Sequence, residues 1–288
     1  MLTTIFYYSD EFCKFFEKEA QQYMLPGDSI KPFSSRMTIS EIMTIMIYWP
    51  QSGYKNFKVF YEKEVLGHLR QEFPNAVSYN RFIELKPYAL LPLSVFAKCI
   101  SSACTGISFI DSTKLGVCNV KRIYSHEVFK GIARQGKTSM GWFFGFKLHI
   151  VTDQFRNIID FTLTPGNVHD ANHIVIDKIM KKIIGILVGD RGYIGLFKYL
   201  YKQDIKIIHG LRSNMKNQLV SLSEKFLLNR RASVIETTIG VLKDHLCLEH
   251  TRHRSPINFL CHTFSCLISY AFYKARKMLT APLLPATT

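Results

Sequence analysis

The segment Phe143–Thr152, FFGFKLHIVT, constrains the fold more than any other stretch. Phe144, Phe146, Leu148 and Ile150 alternate with Gly145, Lys147 and His149, and a period of two belongs to a strand that buries one face. Asp153–Asn157 reads as a turn and leads into a second β-branched run, Ile158–Thr164. Upstream, Ile107–Val117 is a third such run, separated from Phe143 by a polar, glycine-containing loop. Three successive strands of this kind predict a meander. The pattern then changes. Asp170–Ile184 is predicted helical with Asp170 as its N-cap, and Ile186–Val188 is a short buried strand ending at Gly189-Asp190. Tyr193–Lys202 is a helix and Ile205–His209 a strand, followed by helices within Asn229–Ser255 and Pro256–Met278. A meander followed by helix–strand alternation is an α/β layered pattern.

Residues 1–100 show the helical period instead. Asp10–Tyr23 carries Phe12, Phe15 and Phe16 between Lys and Glu, and Met24–Ser35, with Pro26, Gly27 and Pro32, reads as a connection. Thr38 followed by Glu41 is a capping-box signature opening a helix over Ile39–Trp49. Pro50 stops that helix, Ser52-Gly53 turns the chain, and Tyr54–Leu69 forms the next one. Ser78–Phe82 leads into a further helix, broken at Pro87 and Pro92. Helix, turn, helix is compatible with a DNA-binding helix-turn-helix, and equally with any small helical domain. The expected organisation is therefore a helical domain over 1–100, an α/β domain over 101–280 and a loose tail over 281–288.

A length of 288 residues with 47% apolar content excludes a wholly disordered chain. With 37 Lys+Arg against 22 Asp+Glu the formal charge is +15, which favours a polyanionic partner, nucleic acid or an acidic membrane surface. A well-solvated basic surface is the plainer reading of the same number. Seven cysteines without a CxxC pair fit a reduced intracellular chain better than a disulfide scaffold. The first residues show no signal peptide. Ser255–Tyr273 is charge-free and about as long as a membrane span, but it starts near a proline and carries Asn258, His262 and Thr263. It is predicted to be a buried core helix. His245, Cys247, His250, His253, Cys261, His262 and Cys266 fit no zinc-finger spacing.

Three carboxylates stand out. Asp111 lies inside the first strand, flanked by Phe109, Ile110 and Leu115, where propensity disfavours it. Asp190 follows an apolar strand at its carboxyl end, where α/β sheets place ligands. Glu236 sits beside a helical stripe of Ile235, Ile239, Leu242 and Leu246, with Lys243 further along the same edge. Strand, strand end and helix can bring the three to one end of a sheet. Hard divalent cations bind such oxygens, and a pair of them suits phosphoryl transfer. Each acid also has an ordinary explanation: a turn for Asp111, a helix cap for Asp190, an ion pair with Lys243 for Glu236.

Taken together, FIDSTKL (109–115), GWFFGFKLHIVTD (141–153), LTPGNVHD (163–170), GDRGYIG (189–195), IET (235–237) and EHTRHRSPINF (249–259), with SGYKNFK (52–58) and VSYNRF (77–82) upstream, resemble the DDE insertion-sequence transposases, and among them the insertion-sequence nine-eight-two family. The resemblance covers nearly the whole chain. It implies a ribonuclease H-like mixed sheet with flanking helices, preceded by the helical domain. It also implies Asp111, Asp190 and Glu236 as catalytic metal ligands, two Mg²⁺ or Mn²⁺ ions, and cut-and-join chemistry on double-stranded DNA at the terminal inverted repeats of a mobile element. A homodimer or higher assembly in the bacterial cytoplasm, without membrane attachment, follows from the same likeness. Lys243, Arg230, Arg231, Arg252, Arg254, Lys114 and Arg191 are the expected DNA contacts, and His149 and His169 could support the metal ligands. For the arginines the alternative is a solvated face; for the histidines it is an ordinary structural role. Arg191 stands where lysine is expected after the second aspartate. A related nuclease that cleaves without joining, or a decayed copy that only binds DNA, are the competing functions.

Overall fold

The computed structural model describes residues 1–22, 35–139, 141–210, 220–249 and 253–280. In chain order the helices and strands are α1 (Leu2–Gln22), α2 (Ile39–Tyr48), α3 (Phe57–Phe60, continuing as a π-helix over Tyr61–His68), α4 (Tyr79–Leu85), α5 (Leu90–Cys99), β1 (Ile107–Cys118), β2 (Arg134–Thr138), β3 (Gly141–Asp153), β4 (Ile158–Pro165), α6 (His173–Met180), β5 (Gly185–Gly189), α7 (Phe197–Tyr201), β6 (Ile205–His209), α8 (Leu222–Gly240, continuing as a π-helix over Val241–His245) and α9 (Pro256–Thr280). They divide into two compact units. One comprises Met1–Ile100, Asp244–Leu248 and Pro256–Thr288; the other comprises Ser101–Lys243 and Glu249–Ser255.

The first unit is helical. Thr38 opens α2 with the expected reciprocal capping box to Glu41, and Asn56 caps α3 by accepting from the Lys58 and Val59 N–H groups. Pro92 does not break the chain as expected. It sits in the first turn of α5, where its missing N–H would have had no helical partner anyway. Side chains of Phe57, Phe60, Tyr61 and Phe82 form an aromatic core, with the Tyr61 and Phe82 rings 4.6 Å apart. The helix α9, read from sequence as part of the second segment, belongs to this unit. It buries Phe259, Cys261, Cys266, Ile268 and Tyr270, and the Gln51 amide donates to the Ser269 carbonyl and hydroxyl. Among the described residues no helix is long and apolar enough to cross a membrane.

The second unit is a six-stranded mixed sheet in the order β2-β3-β1-β5-β6, with β4 also paired to β3. The strand β1 runs antiparallel to β3 and parallel to β5, and β5 runs parallel to β6. This is a ribonuclease H-like arrangement: an antiparallel meander extended by parallel strands. The short strand β2 was not anticipated, because RQGKT has neither apolar alternation nor β-branched content. Register in the meander depends on Gly145. A Cβ there would lie 2.0 Å from the Leu115 carbonyl oxygen, beside the irregularity between Gly116 and Cys118.

Helices cover both faces of the sheet. Phe109, Val188 and Ile208 pack under Val234 and Ile235 of α8. On the opposite face Ile110, Val151, Ile159, Leu187 and Ile207 pack with Val175, Ile176 and Ile179 of α6 and Leu200 of α7. Period-two alternation therefore sends Phe109 and Asp111 to the α8 side and Ile110 and Ser112 to the α6 side. The first helix after the meander is shorter than expected. It begins at His173 and is capped by the Asn172 side chain rather than by Asp170, which leaves Asp170 available for a different role.

Candidate active site

Pairing between β1 and β5 places Phe109 opposite Val188. Two residues further on, Asp111 and Asp190 emerge at neighbouring positions on the sheet. Both carboxylates are held in defined orientations. Asp111 Oδ1 accepts from the Ser112 N–H at 2.7 Å, and its Oδ2 accepts from the Arg231 guanidinium at 2.8 Å. Asp190 Oδ1 accepts from the Gly192 N–H at 2.8 Å and opens the turn into α7. Burial pushes the Asp111 carboxyl up to about 6. Arg231 and the Ser112 N–H pull the other way, and the negative charges of Asp190 and Asp170 add to the rise.

Asp170 is the site residue that sequence reasoning misassigned. Freed from helix capping, its Oδ1 accepts from the Ser112 hydroxyl at 2.7 Å and from Lys147 Nζ at 3.1 Å. The same oxygen lies 3.9 Å from His149 Nδ1. His149 is fully buried. Its Nε2 pairs with the Thr164 hydroxyl at 2.9 Å, while its Nδ1 has no hydrogen-bond partner among the described residues. Burial lowers its pKa to about 4, against the opposing pull of Asp170. Tyr193 is also buried, with no hydrogen-bond partner for its hydroxyl among the described residues, and burial followed by the charges of Asp170, Asp111 and Asp190 drives its pKa well up. The one signal for Asp170 in the sequence was its place at the end of LTPGNVHD.

Residues 101–256, more than half of the chain, match a family model described as a transposase DDE domain. The chain belongs to the DDE transposases. No match is found among the curated proteins.

In this transposase Glu236 lies on the exposed side of α8, next to the buried Ile235, and makes no hydrogen bond or ion pair with the described residues. Among those residues no three His, Cys, Asp or Glu side chains are close enough to hold an ion between them. The structure thus brings Asp111 and Asp190 together, adds Asp170 behind them, and leaves Glu236 to one side. Two of the three cations expected on this helix turn inward. Arg231, expected on DNA, is ion-paired with Asp111 and also donates to the Ile110 carbonyl. Lys243 pairs with neither Glu236 nor Asp244. Its ammonium lies 2.9 Å from both Glu249 and the Lys114 carbonyl, and Glu249 in turn accepts from the Gly116 N–H at 3.2 Å. Arg191, Arg230 and Arg254 are exposed, with Arg230 also reaching the Gln154 carbonyl at 3.4 Å. Lys114 is half-buried. His169 is exposed and accepts the Ala171 N–H at 3.1 Å, a local turn contact. Arg252 lies outside the described residues, as does the tail 281–288.

DDE domains use divalent metal ions in general, and the donor set here fits one. Asp111 and Asp190 offer hard carboxylate oxygens, each with lone pairs left after the contacts above. Burial, with the repulsion of Asp190 and Asp170 added to it, raises the Asp111 carboxyl. Added positive charge there would favour the ionised carboxylates and offset their repulsion.

Proposed function

We propose that the chain cuts and joins DNA at the ends of an insertion sequence by metal-dependent phosphoryl transfer, with Asp111 and Asp190 as the principal metal ligands and Glu236 as the third acid. The observation that carries this reading is the placement of Asp111 on β1 beside Asp190 at the end of β5, both oriented by hydrogen bonds. Mg²⁺ or Mn²⁺ bound there, as a pair in the fullest form of the proposal, supplies Lewis-acid polarisation of the phosphodiester and eases ionisation of the attacking oxygen.

The protein's own groups do the rest. The Ser112 N–H and Arg231 fix the plane of the Asp111 carboxylate. Asp170, held by Ser112 and Lys147, braces the strand from the opposite face. Exposed Arg191, Arg230 and Arg254 provide phosphate contacts that hold the duplex in register. Lys243, tied to Glu249 and Lys114, fixes the middle of the π-helix against β1 and leaves direct phosphate contact to the arginines. Membership of the nine-eight-two family, a homodimer or higher assembly in the active complex and a DNA-reading role for residues 1–100 belong to the same proposal.

The test is cleavage of the inverted repeats flanking the gene, with Mg²⁺ or Mn²⁺ present or chelated. Asp111→Asn, Asp190→Asn and Glu236→Gln should each abolish cleavage while leaving duplex binding intact. A near wild-type rate in any one of them removes that residue from the site. Cleavage with no joined product would mean a nuclease rather than a transposase.

A further inference from the structure

The helical unit carries an open groove of about 780 Å³ lined by Ser35, Arg36, Arg70, Asn75, Ser78 and Arg81, among others. All three guanidinium side chains are exposed, and among the described residues no carboxylate lines the groove. Arg36 makes no hydrogen bond or ion pair with the described residues. Among the described residues Arg81 is paired only with exposed Glu84, at 2.7 Å, a contact weak enough to exchange for a stronger anion.

The loop that shapes the groove is fixed in place. Phe73 is buried beneath it, and the Tyr61 hydroxyl donates to the Val77 carbonyl at 2.8 Å. Arg70 Nη1 donates to the Ala76 carbonyl at 2.9 Å, and Ser78 caps α4 by accepting from the Arg81 N–H. Three cations on a rigid, open, hydroxyl-bearing rim suit a ligand that presents successive phosphates. Guanidinium groups match phosphate oxygens in planar, paired geometry.

We infer that this groove grips the phosphate backbone of duplex DNA, as an anchoring surface separate from the Asp111–Asp190 site. The inference rests on the transposase reading for its partner, and on Arg36, Arg70 and Arg81 for its location.

The experiment measures binding of the full chain to a short fluorescein-labelled DNA duplex by anisotropy, in chelator, across a salt series. R36A/R81A is the informative variant, because neither side chain holds the fold together; R70A would also release the Ala76 carbonyl. Each lost phosphate contact flattens the slope of log affinity against log salt by about 0.9, so the double variant should flatten it by about 1.8. The wild type should then lose about tenfold more affinity than the variant between about 50 and 200 mM salt. K18A/K202A, which removes two exposed lysines outside the groove, should retain the wild-type slope. A wild-type slope in R36A/R81A overturns the inference and leaves the transposase reading standing. A wild type that does not bind the duplex at all overturns both. In a second arm inorganic phosphate is the only ligand, read by thermal shift. Stabilisation by phosphate that R36A/R81A abolishes, with the duplex slope unchanged, would make the groove a small-anion site and overturn the DNA assignment.

Discussion

Lys86 gives the sharpest quantitative test of the helical unit. It is 7% exposed, and its ammonium sits 4.7 Å from the centroid of the Phe57 ring. Its neighbour Cys261 has a thiol that burial holds up to about 11, so no full negative charge faces the ammonium at neutral pH. Burial lowers the Lys86 pKa from 10.5 to about 8. A shift of that size corresponds to about 3 kcal/mol of destabilisation when the group is charged in both folded and unfolded chains. Attraction to the Phe57 ring returns part of this, up to about 2 kcal/mol for a desolvated cation. Lys86→Met keeps the length of the side chain and removes the charge. It should therefore raise stability at pH 7 by about 1–3 kcal/mol. The sign with pH is fixed. Below pH 8 both states carry the proton and the full penalty applies. From pH 8 to 10.5 the folded chain is neutral while the unfolded chain is still charged, so the wild type gains stability relative to the variant and the gap closes. Urea unfolding of both proteins across that range, followed by far-ultraviolet circular dichroism, measures the gap directly. A variant no more stable than wild type at pH 7, or a gap that stays constant to pH 10.5, would refute the reasoning.

Four further outcomes follow from the second unit. His149, held down to about 4 by burial, is neutral when folded, so the wild type should lose stability relative to His149→Gln as pH falls from 6.5 to 4; parallel thermal midpoints across that range would contradict it. Gly145→Ala puts a Cβ within 2.0 Å of the Leu115 carbonyl and should destabilise the sheet by several kcal/mol, visible as loss of soluble protein or a much lower unfolding midpoint. Lys243→Met and Glu249→Gln each break a half-buried pair and should cost about 1–3 kcal/mol, with the double variant costing less than the sum; strict additivity in denaturation would mean the pair is not coupled. Asp170→Asn should weaken the hold of Lys147 and Ser112 and lower the unfolding midpoint without abolishing duplex binding; a loss of binding as large as that of R36A/R81A would place Asp170 on the DNA instead.

Much of the sheet could be read from sequence because its signals are local. The alternation in Phe143–Thr152, the turn at Asp153–Asn157 and the short apolar strand before Asp190 all became strands or turns where expected. The boundaries that slipped were those decided by competition between neighbours. Asp170 and Asn172 are both good caps, and Asn172 took the helix because Ser112 and Lys147 from adjacent strands claimed the aspartate. The strand β2 has no apolar period of its own. It forms as an edge pairing on the glycine-bearing start of β3, at Gly136 opposite Phe143 and Arg134 opposite Gly145. Two π-helical stretches, over Tyr61–His68 and Val241–His245, change the helical phase by amounts no 3.6-residue pattern can anticipate.

The least legible part was the direction in which the cations point. Sequence spacing set Glu236 and Lys243 along one edge of a helix, and from that edge alone Lys243 reads as Glu236's partner or as a DNA contact. The structure sends Lys243 to Glu249 and Lys114, and Arg231 to Asp111. The physical reason is that a carboxylate set back in a strand cannot remain uncompensated. Burial raises the Asp111 pKa, Asp190 and Asp170 add to the rise, and Arg231, one turn before the buried Ile235, is the helix cation within reach. The guanidinium therefore meets the same electrostatic demand that a divalent cation would meet at Asp111. Occupation of the site by a cation and retention of the 2.8 Å Arg231–Asp111 pair compete for the same carboxylate charge. Arg231→Gln should accordingly tighten Mn²⁺ binding measured by calorimetry while lowering the stability of the metal-free chain. A variant that binds Mn²⁺ no more tightly than wild type would show that Arg231 orients Asp111 without competing for it.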